Sequence, residues 1–222
     1  IRDYLEDDSE FAVTDPTLLE DKGFEATILD RFSSFIELTV DEIESKTGIP
    51  LNRTSKSYRA TLARHMIGVK QNKIAEFDRA SISMKTILRD EKGRPPESMS
   101  FPYFRYEGTG SIIEETWGGD EAGDLPEIQR IFEETRFLFF VFQKESNRIR
   151  FKMVLFWSMP KDDLESFVRP VWERTYRAIQ EGLLPDLPKQ TFNGVCHVRP
   201  HARNSQDTLP TPHNVDQVKR CF

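Results

Sequence analysis

The sequence predicts an α/β fold in which helices flank a central sheet. Over residues 82–87 successive side chains fall on two alternating faces, one more apolar than the other, and this period of two is typical of a strand. Two β-rich runs, at 137–144 and 150–159, are separated by a short polar turn, as in a hairpin. Residues 160–184 instead carry apolar side chains at helical spacing. Strands and amphipathic helices in one chain are typical of this fold class.

Residues 1–50 are predicted to form a helical N-terminal part. Apolar side chains at helical spacing predict a first helix over 25–35. Thr39 and Glu42 have the spacing of a capping box, which predicts that a second helix begins there. We expect that helix to end near Gly48.

A further helix is predicted over residues 56–67, and a polar, basic connection at 68–79 is expected to lead from it into the first strand. Its apolar face should be buried and comprises Tyr58, Leu62, Met66 and Ile67. Its cations, Lys56, Arg59 and Arg64, project from other faces. This pattern fits a solvated cationic helix as well as a helix that faces phosphate.

The strand at 82–87 carries Lys85 near its end and leads into a charged turn that contains Gly93 and Arg94. A lysine before a basic, glycine-containing loop suits a phosphodiester site, because the ammonium can meet a phosphate oxygen while the loop lies along a nucleic-acid backbone. The alternative is a solvated lysine on an edge strand.

The middle of the chain holds an aromatic segment and an acidic segment. Residues 99–106 contain four aromatic side chains, for which core filling is the more common role. Residues 107–124 hold five glycines with acidic residues between them, which predicts a loop insertion that repels phosphate. A short helix is expected at 126–136.

The last third of the chain is predicted to complete the sheet and its helical cover. The hairpin of 137–144 and 150–159 should form the sheet centre, and Pro170 should kink or divide the helix at 160–184. Residues 194–203 begin with the alternation of a strand. A broad buried stripe is expected along the long helix, at Leu164, Phe167, Val168, Val171, Trp172, Tyr176, Ile179 and Leu183.

The net charge of −6 argues against a nucleic-acid partner, but the charges are unevenly distributed. Residues 51–95 hold 11 basic and 4 acidic side chains, and residues 189–222 hold 5 and 2. Residues 1–49 instead hold 4 basic and 14 acidic side chains, and 107–135 hold 1 and 9. The basic segments can together form a positive face, or segments of opposite charge can neutralise each other.

Several classes of protein are disfavoured by composition. The longest apolar run, at 137–142, is too short to cross a bilayer, and we expect no membrane partner. Cys196 and Cys221 lack metal-ligand spacing, and so few thiols are typical of a reducing, cytoplasmic compartment. We expect residues 1–222 to form a single domain that is a fragment of a longer enzyme.

Two stretches carry a resemblance to a known family. The first reads Met-Lys-Thr-Ile at 84–87, Gly-Arg-Pro at 93–95 and Glu-Ser at 97–98. The second reads Arg-Pro-His-Ala at 199–202, followed by Asn204. In this order the chain resembles the MutH and Sau-type family of GATC-cutting endonucleases. The resemblance implies a restriction-endonuclease-like α/β core, a mixed β-sheet flanked by α-helices.

The resemblance also implies that the metal-binding motif of the family is degenerate here. The family has an aspartate, six residues, a glutamate, one residue and a lysine, and these positions are occupied by Glu76, Ser83 and Lys85. A further family glutamate falls at Arg64. Metal-assisted cleavage needs carboxylates, so we expect no intact catalytic site and no metal or other cofactor in this half, with magnesium in a separate catalytic half.

DNA contacts are implied by the same resemblance. Arg199 takes the position of a family arginine that reads bases, and an arginine fork can bond both major-groove acceptors of guanine. His201 replaces a family lysine, which puts base specificity there in doubt. The implied DNA-binding residues are Lys56, Lys85, Arg94, Arg199, His201, Arg203 and Asn204.

The first functional hypothesis is the C-terminal effector half of a type II restriction enzyme. It would bind a second GATC site in double-stranded DNA and activate the N-terminal catalytic half of the same polypeptide without cleaving. The second is an active nuclease with a rearranged site at Glu76, Asp78 and Lys85. The third is a protein-interaction module that docks through its acidic segments.

Overall fold

The computed structural model describes residues 10–13, 17, 22–48, 51–71, 73–183, 186–199, 204 and 208–219. It divides into two compact units. The first comprises Ile1–Ser98 and Thr135–Ser158, and the second comprises Met99–Glu134 and Met159–Phe222. A single domain over 1–222 stays a prediction.

The first unit contains a mixed three-stranded sheet, which confirms the predicted α/β fold. Its strands are β1 (Ile82–Arg89), β2 (Arg136–Glu145) and β3 (Arg148–Trp157), in the order β1-β2-β3. β1 pairs with β2 in parallel, and β2 pairs with β3 as an antiparallel hairpin. Only β2 is central: the prediction that the whole hairpin forms the sheet centre is wrong for β3, which lies at an edge.

Helices cover one face of this sheet. They are α1 (Phe24–Ser33), α2 (Val40–Thr47) and α3 (Tyr58–Met66), followed by the short α4 (Ala75–Arg79). Phe32 of α1 meets the Phe140 ring edge-on at 4.9 Å between centroids, and both side chains are fully buried. The sheet side of this core has the period-two pattern of strands, with Ile82, Met84, Leu88, Leu138, Phe140, Phe142, Phe151, Val154 and Phe156.

The capping box of α2 forms as predicted. The Thr39 hydroxyl accepts a hydrogen bond from the Glu42 backbone N–H, and the Glu42 carboxylate accepts one from the Thr39 N–H at 2.7 Å. The helix ends at Gly48. Thr39 also bridges Arg150 of β3, so this cap joins α2 to the edge of the sheet.

The second unit is built around a divided helix and an aromatic core. In chain order its elements are a 3-10 turn (Ile112–Glu114), α5 (Glu127–Glu134), α6 (Lys161–Asp163), a π-helical turn (Leu164–Val168), α7 (Arg169–Gln180), β4 (Thr208–Thr211) and β5 (Asn214–Lys219). The π-helical turn separates α6 from α7 and ends two residues before Pro170, whose ring would clash with a regular preceding α-helical turn. The predicted division of this helix is therefore confirmed.

Most of the predicted stripe on this helix is buried. Leu164, Val168, Val171, Trp172 and Ile179 are less than a tenth exposed, whereas Leu183 is 48% exposed. Leu183 was assigned wrongly because the helix ends at Gln180, so its position no longer follows the helical period.

The aromatic segment at 99–106 is mainly a core element. Tyr106 is buried with Ile112, Trp172 and Ile179. Phe101 packs against Phe132 of α5 at 4.8 Å between ring centroids. Tyr103 differs, since it is 51% exposed.

Residues 194–199 do not form the predicted strand. The side-chain oxygen of Asn193 accepts hydrogen bonds from the backbone N–H groups of Val195 and Cys196, at 2.9 and 3.1 Å. This local turn competes with a strand ladder for the same donors. The Val198 N–H is bonded to the Pro188 carbonyl at 2.8 Å, so the segment is held as an irregular loop.

Among the helices that the structure describes, none is both long and apolar enough to span a membrane.

The cap of α2 gives a stability prediction. Replacing Thr39 by Ala should lower the free energy of unfolding by about 1 kcal/mol, because it leaves an early helical N–H without its acceptor. Urea denaturation measures this. The control is Ser45→Ala in the same helix, whose exposed hydroxyl bonds only the Asp41 carbonyl and should change stability by less than about 0.5 kcal/mol. Equal effects of the two substitutions would contradict the assigned cap.

Candidate nucleic-acid interface

The face of the sheet opposite the helices carries the predicted site residues of β1. The parallel register places Ser83 beside Phe137 and Lys85 beside Phe139. Phe137, Phe139 and Trp157 form a cluster with ring centroids 5.7 to 5.9 Å apart. Lys85 is therefore a half-buried cation beside an aromatic cluster.

Burial lowers the pKa of Lys85 from its ordinary value, because the ammonium loses hydration. An ammonium in this state gains more from an anionic partner than a fully hydrated one does. Burial thus favours the neutral amine of Lys85, and a nearby anionic group would counter this effect.

Ser83 shares this face of β1, two residues before Lys85. Its side chain is short and neutral, and it occupies the position where the family resemblance places a glutamate. A hydroxyl supplies no negative charge toward a divalent cation, which prefers carboxylate oxygens.

The carboxylate of Glu76, at the start of α4, is hydrogen-bonded to the backbone of the same chain. Its two carboxylate oxygens accept hydrogen bonds from the backbone N–H groups of Ala12 and Val13, at 3.0 and 2.8 Å. Ala12 is fully buried and Val13 nearly so. Glu76 thus fastens an early segment of the chain onto α4.

Glu10 reinforces the same attachment. Its carboxylate accepts hydrogen bonds from the Lys70 and Gln71 N–H groups, and its backbone bridges Ile74 in parallel. The Lys70 N–H lowers the pKa of the Glu10 carboxyl. Together, Glu10 and Glu76 anchor residues 10–13 to the connection between α3 and β1.

Arg64 projects from α3 and is half-buried. One of its terminal nitrogens donates to the Thr61 hydroxyl at 3.1 Å, while its Nε has no hydrogen-bond partner. Burial lowers the pKa of this guanidinium. An arginine here brings a positive charge to a position where the family has a carboxylate.

These residues do not fit a magnesium ion. Glu76 already uses both oxygens on backbone donors, Ser83 is neutral and Arg64 is cationic. Within the described ranges, no three His, Cys, Asp or Glu side chains are grouped so that they can hold a metal together. Asp78 is exposed on α4.

Arg94 lies in a compact loop that follows β1. The Asp90 carboxylate accepts the backbone N–H groups of Lys92 and Arg94 at 2.9 and 2.8 Å, and it also binds the Arg94 guanidinium at 3.2 Å. The Arg94 N–H lowers the pKa of Asp90 below its ordinary value of 3.8. The stabilisation from Asp90 is therefore complete at neutral pH and is lost only as the pH falls through this lowered pKa.

The other predicted DNA-binding residues are either exposed or outside the described residues. Lys56 is exposed in the turn before α3. Arg199 and Asn204 belong to the second unit, and both are exposed. His201 and Arg203 lie outside the described residues. No finding tests the roles assigned to these residues, which stay predictions.

Comparison with known proteins addresses the resemblance directly. No protein-family model matches the chain. The chain is 29% identical over 217 aligned residues to the type II restriction enzyme Sau3AI of Staphylococcus aureus. The predicted resemblance to Sau-type restriction enzymes is confirmed. The alignment covers 86% of this chain but only 43% of Sau3AI, so the chain spans less than half the length of this relative.

The sequence analysis missed Asp90, which organises the loop that bears Arg94. The signal for it lies in the pattern Asp-Glu-Lys-Gly-Arg at 90–94, since an Asp followed by Gly three residues later is typical of a turn closed by the Asp side chain. The partners of Glu76 had no comparable local signal, because they lie more than sixty residues away.

The attachment of residues 12–13 by Glu76 is testable. Glu76→Gln should reduce the free energy of unfolding by about 1–2 kcal/mol, because an amide can accept from only one of the two backbone donors with its oxygen. Urea denaturation measures the loss, and hydrogen exchange at the Ala12 and Val13 amides locates it.

Asp78→Asn is the matched control on the same helix, and its exposed side chain should matter by less than about 0.5 kcal/mol. If Glu76 instead held a metal, magnesium would raise the melting temperature of the unsubstituted chain and not that of Glu76→Gln. That result would contradict the structural role.

Proposed function

We propose that this chain is the C-terminal effector half of a cytoplasmic type II restriction enzyme. It binds double-stranded DNA at GATC, does not cleave it, and activates the N-terminal catalytic half of the same polypeptide. The sequence similarity to Sau3AI, a type II restriction enzyme, supports this proposal. The share of Sau3AI that the chain spans is consistent with one half of such an enzyme.

The observation that carries the proposal is the state of the degenerate metal motif. The Glu76 oxygens are held by backbone N–H groups, a serine stands at position 83, and a half-buried arginine stands at position 64. These positions lack the set of carboxylates that a divalent cation prefers, and one of them carries a cation. We infer that this half helps to hold the DNA backbone and leaves cleavage to the other half.

Activation of a second half requires that DNA binding favour one conformation over another. A bound GATC site shifts the enzyme towards an active state only by the difference in its affinity for the two states. Typical couplings between sites correspond to about 5-fold to 150-fold changes in affinity. The effector role therefore requires that DNA bind one conformation more tightly than the other, since a ligand bound equally by both states shifts nothing.

Selective, salt-dependent DNA binding is the first expected outcome. The chain should bind a duplex that contains GATC more tightly than a scrambled duplex of the same composition. Its affinity should fall steeply between roughly 50 and 200 mM salt, because cation–phosphate contacts release counterions. Fluorescence anisotropy with both duplexes at two salt concentrations measures this.

Equal and weak binding of both duplexes would refute the effector proposal. The absence of salt-dependent DNA binding would favour a protein-interaction module. Plasmid cleavage by the chain with magnesium, abolished by Lys85→Ala, would instead favour an active nuclease. The proposal expects no cleavage under these conditions.

Arg199 is expected to read a base. Arg199→Ala should weaken binding to the GATC duplex by about 1–3 kcal/mol and reduce discrimination against the scrambled duplex. The control is Arg177→Ala, which removes the same charge from an exposed arginine of α7 that pairs with Glu173. Undiminished discrimination in Arg199→Ala would show that another residue reads the sequence.

A further inference from the structure

Two loops of this chain have the same sequence pattern and the same hydrogen bonds. One reads Asp-Glu-Lys-Gly-Arg at 90–94 in the first unit, and the other reads Asp-Glu-Ala-Gly-Asp at 120–124 in the second. In each loop the carboxylate of the first residue accepts the N–H groups of the third and fifth residues, at 2.8 to 2.9 Å. The backbones of the first and fifth residues are also bonded, at 2.8 and 3.2 Å.

The two loops differ in the side chains that they display. The third and fifth positions hold Lys92 and Arg94 in the first loop, but Ala122 and Asp124 in the second. Because the shared hydrogen bonds are sufficient to form the loop, they do not require a cation at the fifth position. The guanidinium of Arg94 is therefore an addition to a backbone that forms without it.

Asp90 holds this guanidinium by one edge. Its carboxylate accepts hydrogen bonds from Nε and Nη2 of Arg94, at 3.3 and 3.2 Å. A guanidinium has five N–H donors in a rigid fork, so the Nη1 edge is left for another anion. The Arg94 side chain is 70% exposed, which leaves that edge accessible to a large partner.

The loop is also tied to the sheet. Gly93 has a φ of +78°, and a Cβ there would come within 3.3 Å of Arg89 Nη2. The same nitrogen of Arg89 donates to the Gln143 side chain on the neighbouring strand β2, at 2.8 Å. Arg89 thus packs against the loop while it is fixed to β2, which restricts where Arg94 can lie.

We infer that Asp90 is a positioning residue that presents Arg94 to a phosphodiester of duplex DNA. This inference rests on the proposed DNA-binding function. For removal of the Asp90 carboxylate, it predicts a change in DNA affinity opposite in sign to the change expected from net charge alone. Removing a carboxylate near a DNA-binding surface should strengthen binding if charge alone matters, whereas loss of a positioning carboxylate should weaken it.

The experiment compares the unsubstituted chain with Asp90→Asn, Arg94→Ala and the double variant, by anisotropy on the GATC duplex. Asparagine can still accept the Lys92 and Arg94 N–H groups with its oxygen, so the loop should persist. We expect each single variant to bind about tenfold more weakly, with the slope of log K against log salt reduced by about 1. The double variant should bind no worse than Arg94→Ala, since both changes remove one contact.

Asp120→Asn is the matched control, because it makes the same change in the loop that has no cation at its fifth position. It should leave affinity and salt slope unchanged. A second measurement needs no DNA: 15N relaxation of the Arg94 Nε group should show faster motion in Asp90→Asn than in the unsubstituted chain.

The outcomes separate the inference from the function on which it rests. If Arg94→Ala weakens binding but Asp90→Asn binds as tightly as the unsubstituted chain or more tightly, the positioning role of Asp90 is wrong and the DNA-binding function stands. Unchanged motion of Arg94 in Asp90→Asn overturns the positioning role as well. If the unsubstituted chain binds no DNA at any salt concentration, both the function and the inference are overturned.

Discussion

The parallel pairing of β1 with β2 is the constraint on which the other features of the first unit depend. It places Met84 beside Leu138 and Lys85 beside Phe139, so alternate residues of β1 face opposite sides of the sheet. A shift of one residue would turn Lys85 into the helical core and Met84 out of it. Such a shift would be costly because it would turn Ile82, Met84 and Leu88 away from the core against which they pack. The position of the cation thus follows from the packing of the hydrophobic face.

Glu76 illustrates how a residue at a family metal position can become a structural residue. Carboxylates and backbone N–H groups make strong, charge-assisted hydrogen bonds, and here two of them fasten a segment that is distant in sequence. Each oxygen accepts one backbone N–H, so the position of this carboxylate is set by the attachment of residues 12–13.

Local patterns were sufficient to predict much of the fold. The Thr39 capping box, the strand at Lys85 and the division of the helix near Pro170 each depend on neighbouring residues, and each is present. The edge position of β3 depends on strand order, which no local pattern encodes. The expected strand at 194–199 is absent because the Asn193 side chain bonds the donors that a ladder would have used.

The paired loops at 90–94 and 120–124 have a consequence for protein engineering. Each is closed by bonds among its own five residues, and each forms in a different structural setting. The hydrogen bonds that close such a pentapeptide are local, so the loop is a candidate for transfer to other proteins. Between other secondary-structure elements, the same backbone hydrogen bonds should hold the loop while the third and fifth side chains vary. Substitution at these two positions would then change the charge of the loop and leave its backbone conformation in place.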